Sequence, residues 1–192
     1  MIENNDPYKL KEIIDTLKRG GSILYPTDTI WGLGCDATNA KAIDKIFFVK
    51  ERVQRKSLII LVDGIDMLRN YVEDVPAIAL DLMQSIHDPL TIIYPRAKNL
   101  PDNLVAEDQS IAIRIPKNNF CQALIKAFGK PITSTSANQS GQAPPVFFSH
   151  ISPVIINAVD YVVKVPQAHM SRPKASSIIR INEDGDIQII RN

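Results

Sequence analysis

Four short segments of this sequence carry the residues that could do chemistry. The first, Tyr25–Gly34, combines hydroxyl side chains, the carboxylate of Asp28 and two glycines directly after a short apolar run. Loops that follow strands are where α/β proteins place ligands, so this segment is a candidate substrate loop. The alternative is an ordinary turn in which Gly32 and Gly34 supply positive φ angles.

The second segment is basic, because Lys50–Lys56 holds four cations and one acid in seven residues. Lys50 falls on the apolar stripe of a predicted helix that also contains Ile43 and Phe47, and Arg52 follows two residues later. A compact ammonium and a forked guanidinium that converge at a strand entrance suit a polyphosphate. The alternative is that these cations offset the helix macrodipole and face water.

The third segment, Ile132–Gly141, is an apolar strand that runs into a cluster of Ser, Thr and Asn residues. Such a loop offers backbone N–H groups and polar side chains to the oxygens of a ligand. The same residue types also form ordinary polar turns. The segment has neither the GxxxxGK[ST] pattern of a P-loop nor the GxSxG pattern of a hydrolase nucleophile.

The fourth segment is the strand-like Ser110–Pro116, which an arginine interrupts at Arg114. A buried arginine needs a partner, and a ligand carboxylate or a structural Asp would serve. Exposure to solvent is the third alternative. We expect Trp31 to pack rather than to stack on a base. The histidines lie in no catalytic pattern, so the chemistry would depend on positioning and electrostatics. These histidines are His87, His150 and His169.

The elements that must position these segments alternate between helices and strands. Apolar periodicity predicts a first helix from Asp6-Pro7 to Gly20-Gly21 and further helices at 39–50, 78–86 and 119–129. Strands are predicted at 22–25, 58–62, 90–94, 110–115, 132–135, 177–181 and 187–191. Residues 27–36 and 166–175 are predicted as loops. The alternation indicates an α/β protein with a sheet covered by helices, and we expect residues 1–192 to form one domain.

Composition narrows the function classes. The chain is 45% hydrophobic and 22% charged with a net charge of +1, which argues against a protein whose whole surface binds nucleic acid. The two cysteines, Cys35 and Cys121, form no metal-ligand pattern, and free thiols suit a reducing compartment. The start of the sequence is polar and has no signal-peptide pattern. We therefore expect a cytoplasmic protein without membrane contact.

Taken in order, the four segments resemble the YrdC-like threonylcarbamoyl-AMP synthase family in its short, stand-alone bacterial form. The resemblance covers nearly the whole chain. The matching positions are Pro26–Gly34 for the PT(D/E)T(V/I)(Y/W)GLG loop, Lys50 and Arg52 for Lys-x-Arg, Arg114–Pro116 for the R-(V/I/M)-P strand, Ser136, Asn138, Ser140 and Gly141 for Ser-x-Asn with Ser-Gly, Ser176–Ile179 for a late strand, and Arg191 for the final arginine.

The resemblance implies a YrdC-like fold, a twisted open mixed sheet flanked by helices, and a reaction. L-Threonine, bicarbonate or CO₂ and ATP would give threonylcarbamoyl-AMP and pyrophosphate, and a separate transferase complex would use the product to modify tRNA. The residues implied for threonine are Thr29, Arg114 with the ligand carboxylate, Ser176, and Ser134 through its backbone. Those implied for the nucleotide are Lys50, Arg52, Lys56, Ser136, Asn138 and Arg191, of which Lys50 and Arg52 would be catalytic. Mg²⁺ would be held mainly by ATP, without a metal site of protein ligands.

Two other functions fit the same segments. One is a non-catalytic module of this family that binds RNA weakly or assists ribosome maturation, although such paralogues tend to lose the Lys-x-Arg or Ser-x-Asn residues. The other is a different ATP or carbamoyl-phosphate enzyme on the same fold.

Overall fold

The computed structural model describes residues 9–51, 58–164 and 175–192. The strands are β1 Ile23–Tyr25, β2 Gly32–Gly34, β3 Ile59–Leu61, β4 Leu90–Tyr94, β5 Ile111–Arg114, β6 Ile132–Ser136, β7 Tyr161–Val162, β8 Ser177–Ile181 and β9 Ile187–Arg191. The helices are α1 Leu10–Lys18, α2 Ala40–Val49, α3 Ile65–Leu68, α4 Ala77–Ser85, α5 Asn119–Phe128 and α6 Pro153–Ala158, with a 3₁₀ turn at Phe148–His150.

The described strands form one mixed sheet in the order β7-β1-β2-β6-β3-β5-β4-β8-β9. Three neighbouring pairs are parallel, namely β1 with β7, β3 with β5 and β4 with β8. The other pairs are antiparallel. The predicted α/β class and mixed sheet are therefore confirmed.

Helices cover both faces of this sheet. Alternate residues of a strand point to opposite faces, so one strand can contribute side chains to the cores on both sides. Ile23 and Tyr25 of β1 pack with α1 and α5, whereas Leu24 between them packs into the core that contains α2. Each Ile or Leu side chain that is fully buried in this way contributes about 1.5–3 kcal/mol to stability. The two cores make the sheet a rigid support for whatever its residues bind.

The predicted helix ends are confirmed where the structure describes them. Asn39 caps α2 by accepting a hydrogen bond from the backbone N–H of Ala42, and Asn118 caps α5 in the same way. Helix α5 ends at Gly129, which has φ of 75° in the left-handed region. The predicted start of the first helix at Asp6-Pro7 lies outside the described residues.

The prediction of a loop over residues 27–36 is wrong in part, because Gly32–Gly34 is strand β2. Neither Gly32 nor Gly34 has a positive φ, so the turn that was the alternative for these glycines is also wrong. The glycines are needed for space instead. A Cβ at Gly34 would overlap the backbone oxygen of Thr133 and lie 3.0 Å from the ring of Tyr25.

Three short elements were not predicted. Helix α3 has four residues, α6 has six and β7 has two, so none is long enough to produce a readable hydrophobic period. The loop predicted at 166–175 lies outside the described residues except for Ala175. No helix in the described ranges is long and apolar enough to cross a membrane.

We predict that Gly34→Ala destabilises the fold, because the added methyl group must push β6 away from β2. The expected loss in the free energy of unfolding is about 1–3 kcal/mol or more, and urea denaturation would measure it. Gly64→Ala is the matched control, since Gly64 has an extended backbone and nothing within 4 Å of its ideal Cβ position. Equal urea midpoints for the two variants would contradict this explanation of β2.

Candidate active site

A cavity of about 430 Å³ lies over one face of the sheet. Its floor is a row of four residues that pair across adjacent strands, since Ser134 lies opposite Ile59, Ile59 opposite Ala112, and Ala112 opposite Ile93. Part of its wall is the loop after β1, including Trp31. The cavity therefore combines an apolar floor in the sheet with polar groups from a loop and from strand ends.

Six of the residues predicted for the site line this one cavity. They are Thr29, Arg114, Ser134, Ser136, Ser176 and Arg191. Lys50 and Asn138 lie beside this set, in contact with the backbone that carries Ser136. The other two predicted residues, Arg52 and Lys56, lie outside the described residues, so their roles stay predictions.

Arg114 is buried at the end of β5, with only 4% of its side chain exposed. Its Nη1 donates a hydrogen bond of 2.9 Å to Thr29 Oγ1 and lies 3.2 Å from Asp28 Oδ1. The structural Asp that was one alternative for this arginine is therefore present, and solvent exposure is excluded. Within the part of the chain that the structure describes, Arg114 Nε has no hydrogen-bond partner.

The loop between β1 and β2 holds Thr29 in place through its own hydroxyl groups. Thr27 Oγ1 accepts a hydrogen bond from the backbone N–H of Thr29 at 3.0 Å and donates one to Ile30 O at 2.8 Å. Its proton is thus used, so the 2.8 Å contact with Thr29 Oγ1 must be donated by Thr29. Thr29 Oγ1 then accepts from Arg114, and each hydroxyl has one consistent direction.

Arg191 of β9 reaches the opposite wall of the cavity. Its Nε and Nη2 donate to Ser176 O at 3.1 and 2.8 Å, and Ser176 Oγ lies 2.8 Å from Thr91 Oγ1. Burial, together with the nearby cation of Arg114, lowers the pKa of Arg191 below its usual value. Two guanidinium groups share the cavity, so the site favours an anion.

Lys50 is buried at the C-terminal end of α2 with 3% exposure. Its Nζ donates hydrogen bonds to Ser136 O at 2.6 Å and Asn138 O at 2.7 Å, and its carbonyl accepts from the backbone N–H of Ser140 at 2.9 Å. The ammonium group therefore shapes the loop after β6. A phosphate contact for Lys50 stays a prediction.

The side chain of Asn138 is oriented by two carbonyl groups. Its Nδ2 donates to Gln139 O at 2.9 Å and Gln142 O at 2.8 Å, which assigns the amide nitrogen. The buried Oδ1 has no hydrogen-bond partner among the described residues. Asn138 is therefore left with an acceptor, which suits a hydroxyl, an amino group or a cation and does not suit a phosphate oxygen.

Sequence reasoning missed two residues that support this cavity. Asp28 was noted only as a carboxylate in the loop, without a role. Its position directly before Thr29, a predicted site residue, could have indicated one. Thr91 is fully buried in β4 beneath Ser176, and nothing in its local pattern distinguishes it from an ordinary strand residue. In the described ranges, no three His, Cys, Asp or Glu side chains cluster as metal ligands.

Comparison with known proteins now identifies the family. The family model of Sua5, YciO and YrdC, whose description reads "Telomere recombination", matches residues 15–192. The threonylcarbamoyl-AMP synthase of Pseudoalteromonas translucida (strain TAC 125) is 33% identical over 172 residues, which cover 88% of this chain and 92% of that relative. The chain belongs to the Sua5/YciO/YrdC family.

Solved structures of this family share the fold. E. coli YciO matches with a TM-score of 0.83 at 23% identity over 99% of this chain and 91% of that one. P. abyssi Sua5 complexed with L-threonine matches with a TM-score of 0.82 at 24% identity over 94% of this chain. The match spans 53% of that Sua5 chain, about half of its length. The YrdC-like fold expected from the sequence is confirmed.

We predict that Lys50→Met destabilises this member of the Sua5/YciO/YrdC family, because two backbone carbonyls lose their charged donor. The expected loss in the free energy of unfolding is about 1–3 kcal/mol, measured by urea denaturation. Lys41→Met on the exposed side of the same helix is the control. If both variants unfold at the same urea concentration, Lys50 does not hold the loop in the way described.

Proposed function

We propose that this chain is an L-threonylcarbamoyladenylate synthase. The observation that carries the proposal is the single cavity that Arg114, Arg191 and Thr29 line together. Curated relatives at about one-third identity over most of the chain bear the name threonylcarbamoyl-AMP synthase. The crystal structure of one fold neighbour, P. abyssi Sua5, contains L-threonine.

In this proposal Arg114 receives the threonine carboxylate. Its Nη1 is already directed at Asp28 and Thr29, while its Nε has no partner in the described ranges. Nε and Nη2 form one edge of a guanidinium, and that edge binds a carboxylate through two parallel hydrogen bonds. The apolar floor residues Ile59 and Ile93 would then lie near the aliphatic part of the amino acid.

The nucleotide would lie toward the loop after β6. Ser136 lines the cavity there. The neighbouring Asn138 has a buried Oδ1 without a partner in the described ranges, and we propose that it accepts from a ribose hydroxyl or the amino group of adenine, or binds a magnesium ion, once the nucleotide is bound. Arg191 supplies a cation from the other side. Lys50, Arg52 and Lys56 complete the proposed nucleotide set, with Arg52 and Lys56 assigned on their charge and their sequence positions alone.

The proposed reaction has two steps. The threonine amine forms a carbamate with bicarbonate, which releases water, or with CO₂, which releases a proton. A carbamate oxygen then bonds to the α-phosphorus of ATP, and the bond to the leaving pyrophosphate breaks. Both reactants are anions, so the protein's main task is to bring them together among cations and to stabilise the charge that develops during transfer.

Mg²⁺ is proposed as the metal that accompanies ATP. It supplies charge screening for the phosphates and keeps several of its waters, so it does not need a cage of protein carboxylates. Asn138 Oδ1 is an oxygen of the kind it binds. The protein's own residues bind and orient the two substrates.

The product would pass to a tRNA-modifying transferase complex for N6-threonylcarbamoyladenosine, and we infer a cytoplasmic location from that role. The first test is pyrophosphate release from ATP and Mg²⁺, measured with and without L-threonine and bicarbonate. Release that requires both co-substrates supports the synthase. Binding of ATP or RNA without such release would favour a non-catalytic RNA-binding or ribosome-maturation module, and release with other substrates would favour a different enzyme on this fold.

We predict that Asn138→Ala and Arg52→Ala abolish this pyrophosphate release while circular dichroism spectra stay unchanged. Asn138 loses its acceptor oxygen, and Arg52 loses its charge. Gln139→Ala is the matched control for the loop, because the carbonyl that Asn138 uses belongs to the backbone of Gln139. Turnover equal to that of the unsubstituted protein in either variant would remove that residue from the proposed nucleotide site.

A further inference from the structure

Asp28 lies beside the cavity without lining it, in the loop between β1 and β2, with 12% of its side chain exposed. Its Oδ2 accepts a hydrogen bond of 3.0 Å from the backbone N–H of Lys117. Its Oδ1 lies 3.2 Å from Arg114 Nη1 but has no aligned hydrogen bond in the described part of the chain, so the contact is one of charge. Each oxygen of this carboxylate therefore has a separate neighbour.

These two neighbours belong to the same stretch of chain, since Lys117 follows Arg114 by three residues. Lys117 is itself fixed, because its Nζ donates to Ile86 O at 3.0 Å and His87 O at 2.7 Å after α4. The Asp28 loop is also tied to α5, where Cys121 Sγ donates to Pro26 O at 3.4 Å. Asp28 is thus held in a rigid frame with the strand that carries the arginine.

The contacts of Arg114 are divided between its two sides. Nη1 meets Asp28 and Thr29, whereas Nε has no partner in the described ranges. A planar guanidinium that is held at Nη1 cannot rotate freely, so the edge formed by Nε and Nη2 keeps a fixed direction. Asp28, through its charge, and Thr29, through an aligned hydrogen bond, therefore both limit where the remaining edge of Arg114 points.

We propose that Asp28 is a positioning residue that fixes the Arg114 guanidinium so that its other edge binds the carboxylate of the amino-acid substrate. This inference rests on the proposed function, which gives Arg114 that substrate. Asp28 does not touch the substrate and acts through Arg114.

The charge of Asp28 alone would have the opposite effect. A fixed anion near the cavity opposes a second anion, so its removal would tighten the binding of threonine if charge were all that mattered. A positioning role makes the same removal weaken binding, because the guanidinium loses its orientation. The sign of the change therefore separates the two effects.

Asp28→Asn is the variant that isolates this role. The amide oxygen of asparagine can still accept the hydrogen bond from Lys117, so the loop keeps its anchor. Its amide nitrogen would then face the N–H donors of Arg114, and donor against donor turns the guanidinium away. Asp28→Glu restores the carboxylate, and Asp81→Asn at an exposed position of α4 is the matched control.

The experiment compares the binding of L-threonine and of L-threoninol, which lacks the carboxylate, by isothermal titration calorimetry. Trp31, the single tryptophan, lines the cavity and gives a second readout by fluorescence. For Asp28→Asn we expect the threonine Kd to rise at least about 10-fold, as for the loss of an oriented charged contact. The Kd values for threoninol and ATP should change little, Asp28→Glu should recover part of the loss, and Asp81→Asn should bind normally.

Unchanged or tighter binding of threonine to Asp28→Asn would overturn the inference. An equal loss for threonine and threoninol would also overturn it, because it would indicate general damage to the site. Failure of the unsubstituted protein to bind threonine would instead contradict the proposed function, so the two failures can be told apart.

Discussion

A guanidinium buried in the middle of a β-sheet is the constraint on which the site depends. The transfer of a charge out of water costs several kcal/mol unless other groups compensate for it. Arg114 receives only part of that compensation from Asp28 and Thr29, since its Nε has no hydrogen-bond partner in the described ranges. An anion in the cavity would supply the rest. The burial of the Arg114 charge, which lowers the stability of the fold, would therefore favour the binding of an anion there.

The other buried cation is treated differently. Lys50 directs its ammonium at the carbonyls of Ser136 and Asn138, and thereby joins the end of α2 to the loop after β6. Oriented carbonyl dipoles stabilise a buried positive charge. Of these two buried cations, Arg114 therefore lines the cavity and Lys50 shapes the backbone beside it.

Sequence reasoning predicted the elements that have a strong local signal. The stripe of Ile13, Ile14 and Leu17 gave α1, and apolar periodicity likewise gave α2 and α5. Four of the residues that line the cavity came from the polar and basic segments, whereas Ser176 and Arg191 came from the family resemblance alone.

The failures have a common physical cause. Each missed role depends on a contact between residues that lie far apart in the sequence and meet only in the folded protein. Gly34 is required by the backbone oxygen of Thr133, a residue about 100 positions away, and no local pattern distinguishes such a glycine from one in a turn. The role of Thr91 is visible only from its side-chain contact with Ser176, 85 residues away in the sequence. The role of Asp28 likewise depends on where the end of β5 lies.

The long-range pairing of the sheet has a consequence for how the chain folds. Strand β1 pairs with β7, and Ser22 and Asp160, which are 138 residues apart, are joined by hydrogen bonds. Pairing of this kind raises contact order and slows folding, because the entropy of closing a large loop is lost before the stabilising contacts form. During synthesis, β1 and β2 emerge long before their partners β6 and β7, so the apolar strand Ile23–Tyr25 must wait with an open edge. We therefore expect the nascent chain to be most prone to aggregation after β1 and β2 have been synthesised and before β6 and β7 follow. A chaperone would help most during that interval.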